Sequence, residues 1–244
     1  MKDSDKIALL IDCDNVSHES IEGVLEELAK YGTVNIRHAH GDWKSAHLSG
    51  WVEKIHPNAI RPIQQFAYTT GKNATDSAMI IDAMDLLYSK NVDAFALMTS
   101  DSDFTPLVMR ILESGKEVYG FGEKKTPMPF VLACSQFIYT ENLLEKSENG
   151  TQDVPKLKAK SRNELRGDTA LVKLLRTAAE RTSDDDGWSH LGKVGEYISN
   201  NSSFSPINYG YQKLSELIKA SELFEVKMRK NNTVMYICDN RSSK

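Results

Sequence analysis

Cysteine is scarce in this chain. Cys13, Cys134 and Cys238 are odd in number, far apart, and form no CxxC pair. That pattern excludes a disulfide framework and a thiolate zinc site, and it points to a reducing interior. Long apolar runs are missing too. None approaches the roughly 18 residues needed to span a bilayer. The apolar stretch behind Met1-Lys2-Asp3-Ser4-Asp5-Lys6 is too short for a secretory leader. The expectation is a cytoplasmic protein with no membrane contact. No GxxxxGK[ST] loop is present, which argues against a P-loop NTPase. His38, His40, His47 and His56 share no spacing that sets two on one helix face, so no histidine metal site is expected.

What is present suffices for one large domain or two smaller ones: 244 residues, 40% hydrophobic and 26% charged. The net charge of −4 conceals an asymmetry. Residues 1–146 carry 14 Lys and Arg against 21 Asp and Glu, whereas residues 147–244 carry 16 against 13. An acidic half joined to a mildly basic one fits a metal-dependent catalytic domain with a helper domain for a polyanion.

The first half alternates strand-like and helix-like segments. Strands are expected over Ile7–Asp12, Thr33–His40, Ile60–Phe66, Ala94–Thr99 and Glu117–Phe121. Helices are expected over Ser20–Tyr31, Ser45–Ile55, Asp76–Lys90 and Phe104–Ser114. This alternation predicts an α/β fold with a parallel sheet and right-handed crossovers. Residues 147–166 are polar, breaker-rich and then basic, and read as a flexible linker. Helices then recur over Thr169–Arg181, Leu191–Asn200 and Tyr211–Ala220. Alternating stretches at Leu223–Met228 and Thr233–Cys238 flank Arg229-Lys230-Asn231-Asn232, the pattern of a hairpin. Three helices and a hairpin make a winged helix-turn-helix. The expected division is 1–146, a linker at 147–166, and 167–240.

The acidic residues near the apolar runs carry the chemistry. Asp12 and Asp14 follow Ile7–Ile11, Asp76 opens a helical stretch, and Asp101 and Asp103 follow Ala94–Ser100. In an open parallel sheet the carboxyl ends of the strands share a crevice where ligands bind. Carboxylates gathered there repel one another unless a divalent cation neutralises them, and oxygen donors suit Mg²⁺ or Mn²⁺. Asp12, Asp76, Asp101 and Asp103 are the candidate metal ligands. A divalent ion among them would activate water for in-line attack on a phosphodiester and stabilise the developing oxyanion. Asn15 would position the water or the phosphate, and Ser100 would donate a hydrogen bond to a ligand carboxylate. Asp14 and Asp82 are secondary. The ordinary alternative for these residues is capping and turn-building, which Asp and Asn do readily. Lys72, just ahead of Asp76, is either a phosphate contact or a surface lysine.

Four pieces occur in order: Ile11-Asp12-Cys13-Asp14-Asn15, Gly41-Asp42-Trp43, Lys72-Asn73-Ala74-Thr75-Asp76, and Thr99-Ser100-Asp101-Ser102-Asp103-Phe104-Thr105-Pro106-Leu107. Together they resemble the NYN branch of the PIN-like nucleases over roughly residues 5–140. The resemblance implies a PIN-like α/β fold and Mg²⁺- or Mn²⁺-dependent RNA cleavage, with the family's acidic positions at Asp12, Asp76, Asp101 and Asp103 and Asn15 beside the first. Many relatives have Gly where this chain has Ser102 and Asn73, and neither change removes a carboxylate.

Gly187-Trp188-Ser189-His190-Leu191, Phe204–Ile218 with its Tyr-Gly-Tyr-x-Lys-Leu core, and Leu223-Phe224-Glu225-Val226 resemble a LOTUS (OST-HTH) domain. This implies binding of RNA, G-rich or structured, or docking of a protein partner. Lys213, Lys227, Arg229 and Lys230 would meet phosphates, and Tyr209 and Tyr211 would stack on bases or pack in the core. Three functions stand at this point: a metal-dependent ribonuclease, a non-cleaving RNA-binding adaptor, and a haloacid-dehalogenase-like phosphatase whose Asp-x-Asp start would be Asp12-Cys13-Asp14.

Overall fold

A computed structural model describes residues 5–66, 74–89, 91–144, 159–229 and 233–241. The chain divides into two compact units, residues 1–156 and 157–244.

In the first unit the elements run β1 (Asp5–Asp12), α1 (Ile21–Leu28), β2 (Gly32–Gly41), α2 (Ser49–Ile55), β3 (Arg61–Gln64), α3 (Ala74–Ser89), β4 (Ala94–Met98), α4 (Thr105–Glu113), β5 (Glu117–Gly122), α5 (Met128–Ala133) and β6 (Gln136–Tyr139). The strands form one sheet in the order β3-β2-β1-β4-β5-β6, and every pairing is parallel. The chain winds outward from β1 through β2 to β3, then returns to the other side for β4. The winding direction therefore reverses between β1 and β4, and in open α/β sheets that switch point opens a crevice at the carboxyl ends of the strands.

Both faces of the sheet are covered. Ala8 and Leu10 of β1 and Phe95 and Leu97 of β4 pack with Met79, Ala83 and Leu86 of α3 and with Leu107, Val108 and Ile111 of α4. The alternate residues Ile7, Leu9 and Ile11 are equally buried, as are Ile21, Val24 and Leu28 of α1. A strand with no solvent face has no reason to alternate, so β1 reads as a continuous apolar run.

The second unit contains α6 (Arg162–Gly167), α7 (Thr169–Arg181), β7 (Ser189–His190), α8 (Leu191–Asn201), α9 (Leu214–Ser221), β8 (Phe224–Arg229) and β9 (Val234–Asp239). Its strands form an antiparallel sheet, β7-β9-β8. Leu171 and Leu175 of α7, Val194 and Ile198 of α8, Leu217 and Ile218 of α9, and Ile237 of β9 share its core. Gly210, at φ 82°, ends a short 3₁₀ turn at Pro206–Tyr209 in a left-handed conformation that favours glycine.

Several expectations change. The stretch expected to be helical over Ser45–Ile55 is a 3₁₀ turn, Ala46–Leu48, running into α2. The third helix of the second unit begins at Leu214 rather than Tyr211, because Gly210 breaks the chain direction first. α5, β6, α6 and β7 have no counterpart among the expected elements. Residues 147–158 of the expected linker lie outside the described residues. Its last part is no linker: Ser161 and Glu164 form a capping box for α6, and Leu165 is fully buried in the second core.

Candidate active site

Asp12 closes β1. The Cys13 amide still bonds to the His40 carbonyl of β2 at 3.0 Å, and Asn15 turns back to the Asp12 carbonyl at 3.2 Å. This turn carries the Asp12 side chain into the sheet's carboxyl edge with no solvent exposure. One carboxylate oxygen, Oδ2, accepts two hydrogen bonds: from Thr99 Oγ1 at 2.7 Å and from Asn15 Nδ2 at 2.8 Å. The other, Oδ1, is buried and has no hydrogen-bond partner among the described residues. A buried carboxylate oxygen left unbonded is costly, so it marks a place where a further donor or cation would be favoured. Burial raises the Asp12 pKa to about 6. The Thr99 and Asn15 hydrogen bonds pull it down in part, and the negative charges of Asp76 and Asp14 push it up.

The neighbouring strand end supplies the second group. Thr99 directly follows β4, and its hydroxyl also accepts the Asp101 amide at 3.1 Å. Asp101 caps the 3₁₀ turn Ser102–Phe104, its Oδ1 accepting the Asp103 amide at 2.9 Å. Asp76 lies in the first turn of α3, half-buried. Its pKa is raised by burial first and then by Asp101, Asp103 and Asp14. Asp14, exposed, takes a hydrogen bond from Thr75 Oγ1 at 3.0 Å and so ties the loop after β1 to the start of α3. The fold thus brings Asp12, Asp76, Asp101 and Asp103 into one field of mutual repulsion. Asp14, secondary on sequence grounds, belongs to it.

The donor set is all oxygen and anionic, with one orphaned buried oxygen, and its chemistry fits a hard divalent cation. Among the described residues, no group of three or more His, Cys, Asp or Glu side chains is drawn together closely enough to hold a metal ion as placed.

Other expected residues have different tasks. Among the described residues Ser100 donates to no carboxylate: its Oγ accepts the Glu123 amide at 2.9 Å, and Thr99, one position earlier, bonds Asp12 instead. Successive residues of an extended chain point opposite ways, so only one of the two hydroxyls can face β1. Asp82 faces β2, not the acidic cluster. His38 Nδ1 lies 2.7 Å from Asp82 Oδ2, and His40 Nε2 lies 3.0 Å from the same oxygen, off the line of a good hydrogen bond. Burial would raise the Asp82 pKa, but the two imidazoles outweigh it and hold the carboxyl well below its usual range. Trp43 donates its indole N–H to the Ile63 carbonyl at 3.1 Å. Lys72 lies outside the described residues.

An open cleft of about 520 Å³ adjoins the cluster. Asp14, Asn15, His18, His47, Trp51 and Lys125 are among the residues lining it.

In the second unit Tyr209 and Tyr211 pack partly against the core. Their hydroxyls are engaged inside the unit, Tyr209 with Asp168 at 3.4 Å and Tyr211 with the Lys160 carbonyl at 2.6 Å. Lys213, beside α9, is exposed. Lys227 lies over the Trp188 ring and Arg229 over the Tyr236 ring, Arg229 also bonding Asp186 at 3.1 Å. Lys230 lies outside the described residues.

Comparison with known proteins identifies two domain families along the chain. The NYN domain model matches residues 6–145, and the OST-HTH/LOTUS domain model matches residues 166–236. Uncharacterized protein MJ0482 of Methanocaldococcus jannaschii is 27% identical over 125 residues, which are 50% of this chain and 49% of that protein. The chain thus spans about half the length of that curated relative. Among solved structures, a protein of unknown function, VPA0982 from Vibrio parahaemolyticus, is 19% identical with a TM-score of 0.48, covering 57% of this chain and 94% of that one. An uncharacterized protein from locus NE0665 of Nitrosomonas europaea is 28% identical with a TM-score of 0.28, covering 39% of this chain and 90% of that one. Among the described residues, no helix is long and apolar enough to cross a membrane.

Proposed function

The chain belongs to the NYN family, and we propose that it is a ribonuclease of the cytoplasm that hydrolyses RNA phosphodiesters with Mg²⁺ or Mn²⁺. Membership places the first domain in the PIN-like nuclease superfamily, and the LOTUS domain beside it gives the chain an RNA-related role. In this reading residues 1–146 cut and residues 167–240 select the RNA, or dock a protein partner. The observation that carries it is the orphaned Oδ1 of Asp12, buried at the switch point beside carboxylates whose negative charge raises the pKa of Asp12 and of Asp76.

Asp12, Asp76, Asp101 and Asp103 would hold the cation. When bound, it supplies an activated water and a Lewis acid for the developing oxyanion. The chain's own residues do the rest. Thr99 and Asn15 hold Asp12 Oδ2 and leave Oδ1 to the cation. Asp101 is fixed by the amide it caps and by Thr99. Thr75 joins the loop of Asp14 to the helix of Asp76. The phosphatase alternative is the weaker one, because a LOTUS domain does not suit a small-molecule phosphatase.

The test is cleavage of labelled single-stranded and hairpin RNAs with Mn²⁺ or Mg²⁺, against EDTA and Asp101→Asn. Cutting that needs both metal and Asp101 supports the nuclease. RNA binding that survives Asp101→Asn, with no cutting under any metal, replaces it with the adaptor.

A further inference from the structure

The cleft beside Asn15 is not explained by the acidic cluster. His18 stands in its wall three residues beyond Asn15. Its imidazole lies flat against Gly50 of α2: a Cβ there would come within 2.3 Å of the ring. On another side the Trp51 indole meets it edge-on, with centroids 6.3 Å apart and planes at 66°. Trp51 is itself buried and donates its N–H to the Val16 carbonyl at 3.2 Å, which fixes the loop carrying His18. The His18 ring is therefore held in place while staying half-exposed. Among the described residues its nitrogens make no hydrogen bond. A fixed, wet, unbonded ring in a cavity fits a ligand better than a core.

Charge and size narrow the ligand. Lys125 lines the same cleft, its ammonium 2.8 Å from Glu123 and its side chain mostly exposed. Ser17 and Ser45 line it too, their hydroxyls accepting the Glu19 and His47 amides. A volume of about 520 Å³ lies within the range of small-molecule sites, roughly 300–1,000 Å³. That is room for one base turned out of its stack, not for a duplex. Proteins that read single-stranded RNA do so by stacking splayed bases on rings such as histidine.

We propose that this cleft is a base-binding subsite for the nucleotide next to the scissile phosphate, with His18 as the stacking plate and Lys125 meeting the adjoining phosphate. The subsite rests on the nuclease reading for its place beside the scissile bond, but its binding is measurable without turnover. Gly50 is part of the device. Gly50→Ala would push the imidazole off its seat and should reproduce the loss of His18.

The test uses the full chain and a short oligouridine carrying 4-thiouridine, photocrosslinked in EDTA and mapped by mass spectrometry. We expect crosslinks on His18 or within residues 45–51. They should fall about tenfold in His18→Ala and Gly50→Ala and persist in His18→Phe, in line with the value of one stacked base. In the metal-loaded protein, His18→Ala should raise KM about tenfold and leave kcat near the parent value. Crosslinks elsewhere, or crosslinks that His18→Ala leaves undiminished, overturn the subsite even if the protein cuts RNA. Crosslinks at His18 in a protein that never cuts would sink the nuclease and leave the base site standing.

Discussion

A single carboxylate shows how function and stability oppose each other here. Asp12 is held with a folded pKa of about 6 against an ordinary 3.8, chiefly by burial. A raised acid binds its proton more tightly in the folded state, so this group's contribution is most favourable below about pH 4 and is lost as pH rises toward 6. Two units correspond to roughly 3 kcal/mol. In metal-free buffer, Asp12→Asn should therefore gain stability relative to the parent between pH 4 and pH 7, by a few kcal/mol, while losing cleavage. Urea unfolding at the two pH values checks this, and an equal gap at both would show that Asp12 is not ionising against its surroundings. At this scale the sequence is partly legible. Asp12, Asn15 and Asp101 announce themselves by following apolar runs. Thr99 does not, because a threonine at the end of a buried strand is commonplace, and only the β1–β4 pairing makes it a partner of Asp12.

Elements show the same division between local and long-range information. α1 and α4 are readable because each is long enough to display its own periodicity, and β1 and β4 because each carries an uninterrupted apolar run. α5 spans six residues, β6 four and β7 two. Segments so short carry almost no pattern, and β7 exists only because β9 passes beside it. The periodicity of α3 places it to within two residues, yet says nothing of its attachment. Helical spacing correctly separates Asp82 from Asp76, but nothing in one strand's sequence says that His38 and His40 will face that helix. Asp82→Ala leaves His40 fully buried without its nearest charged neighbour. We expect it to cost about 1–3 kcal/mol at pH 7. Because the Asp82 pKa is lowered, its contribution is present above about pH 4 and fades below it, so the parent–variant difference should shrink in acid. Unfolding curves at pH 7 and pH 3 measure it. A difference that stays constant would assign the loss to packing alone.

The whole molecule joins two domains of unlike charge. The first 146 residues carry seven more acidic than basic groups, and the remainder three more basic than acidic. On the proposed reading, an acidic first domain repels an RNA backbone at long range, so capture should depend on the second domain, while the first acts on what has been captured. This gives a separation that kinetics can see. Lys213, just before α9, is exposed, as is Lys227, and Arg229 is half-exposed; the last two lie on β8, an edge strand of that domain's sheet. Replacing the three by Ala should weaken RNA binding and flatten its salt dependence. For a single strand the slope of log K against log salt should fall by about 0.7 for each phosphate that is no longer neutralised. The kcat at saturating RNA should not change, because none of the three lies in the domain that holds the carboxylates. Affinity measured across salt concentrations, beside single-turnover cleavage, decides the matter. An unchanged slope would mean that these cations stay with Trp188, Tyr236 and Asp186 and that RNA is gripped elsewhere. A lower kcat with an unchanged slope would mean that the second domain shapes the cut rather than the capture.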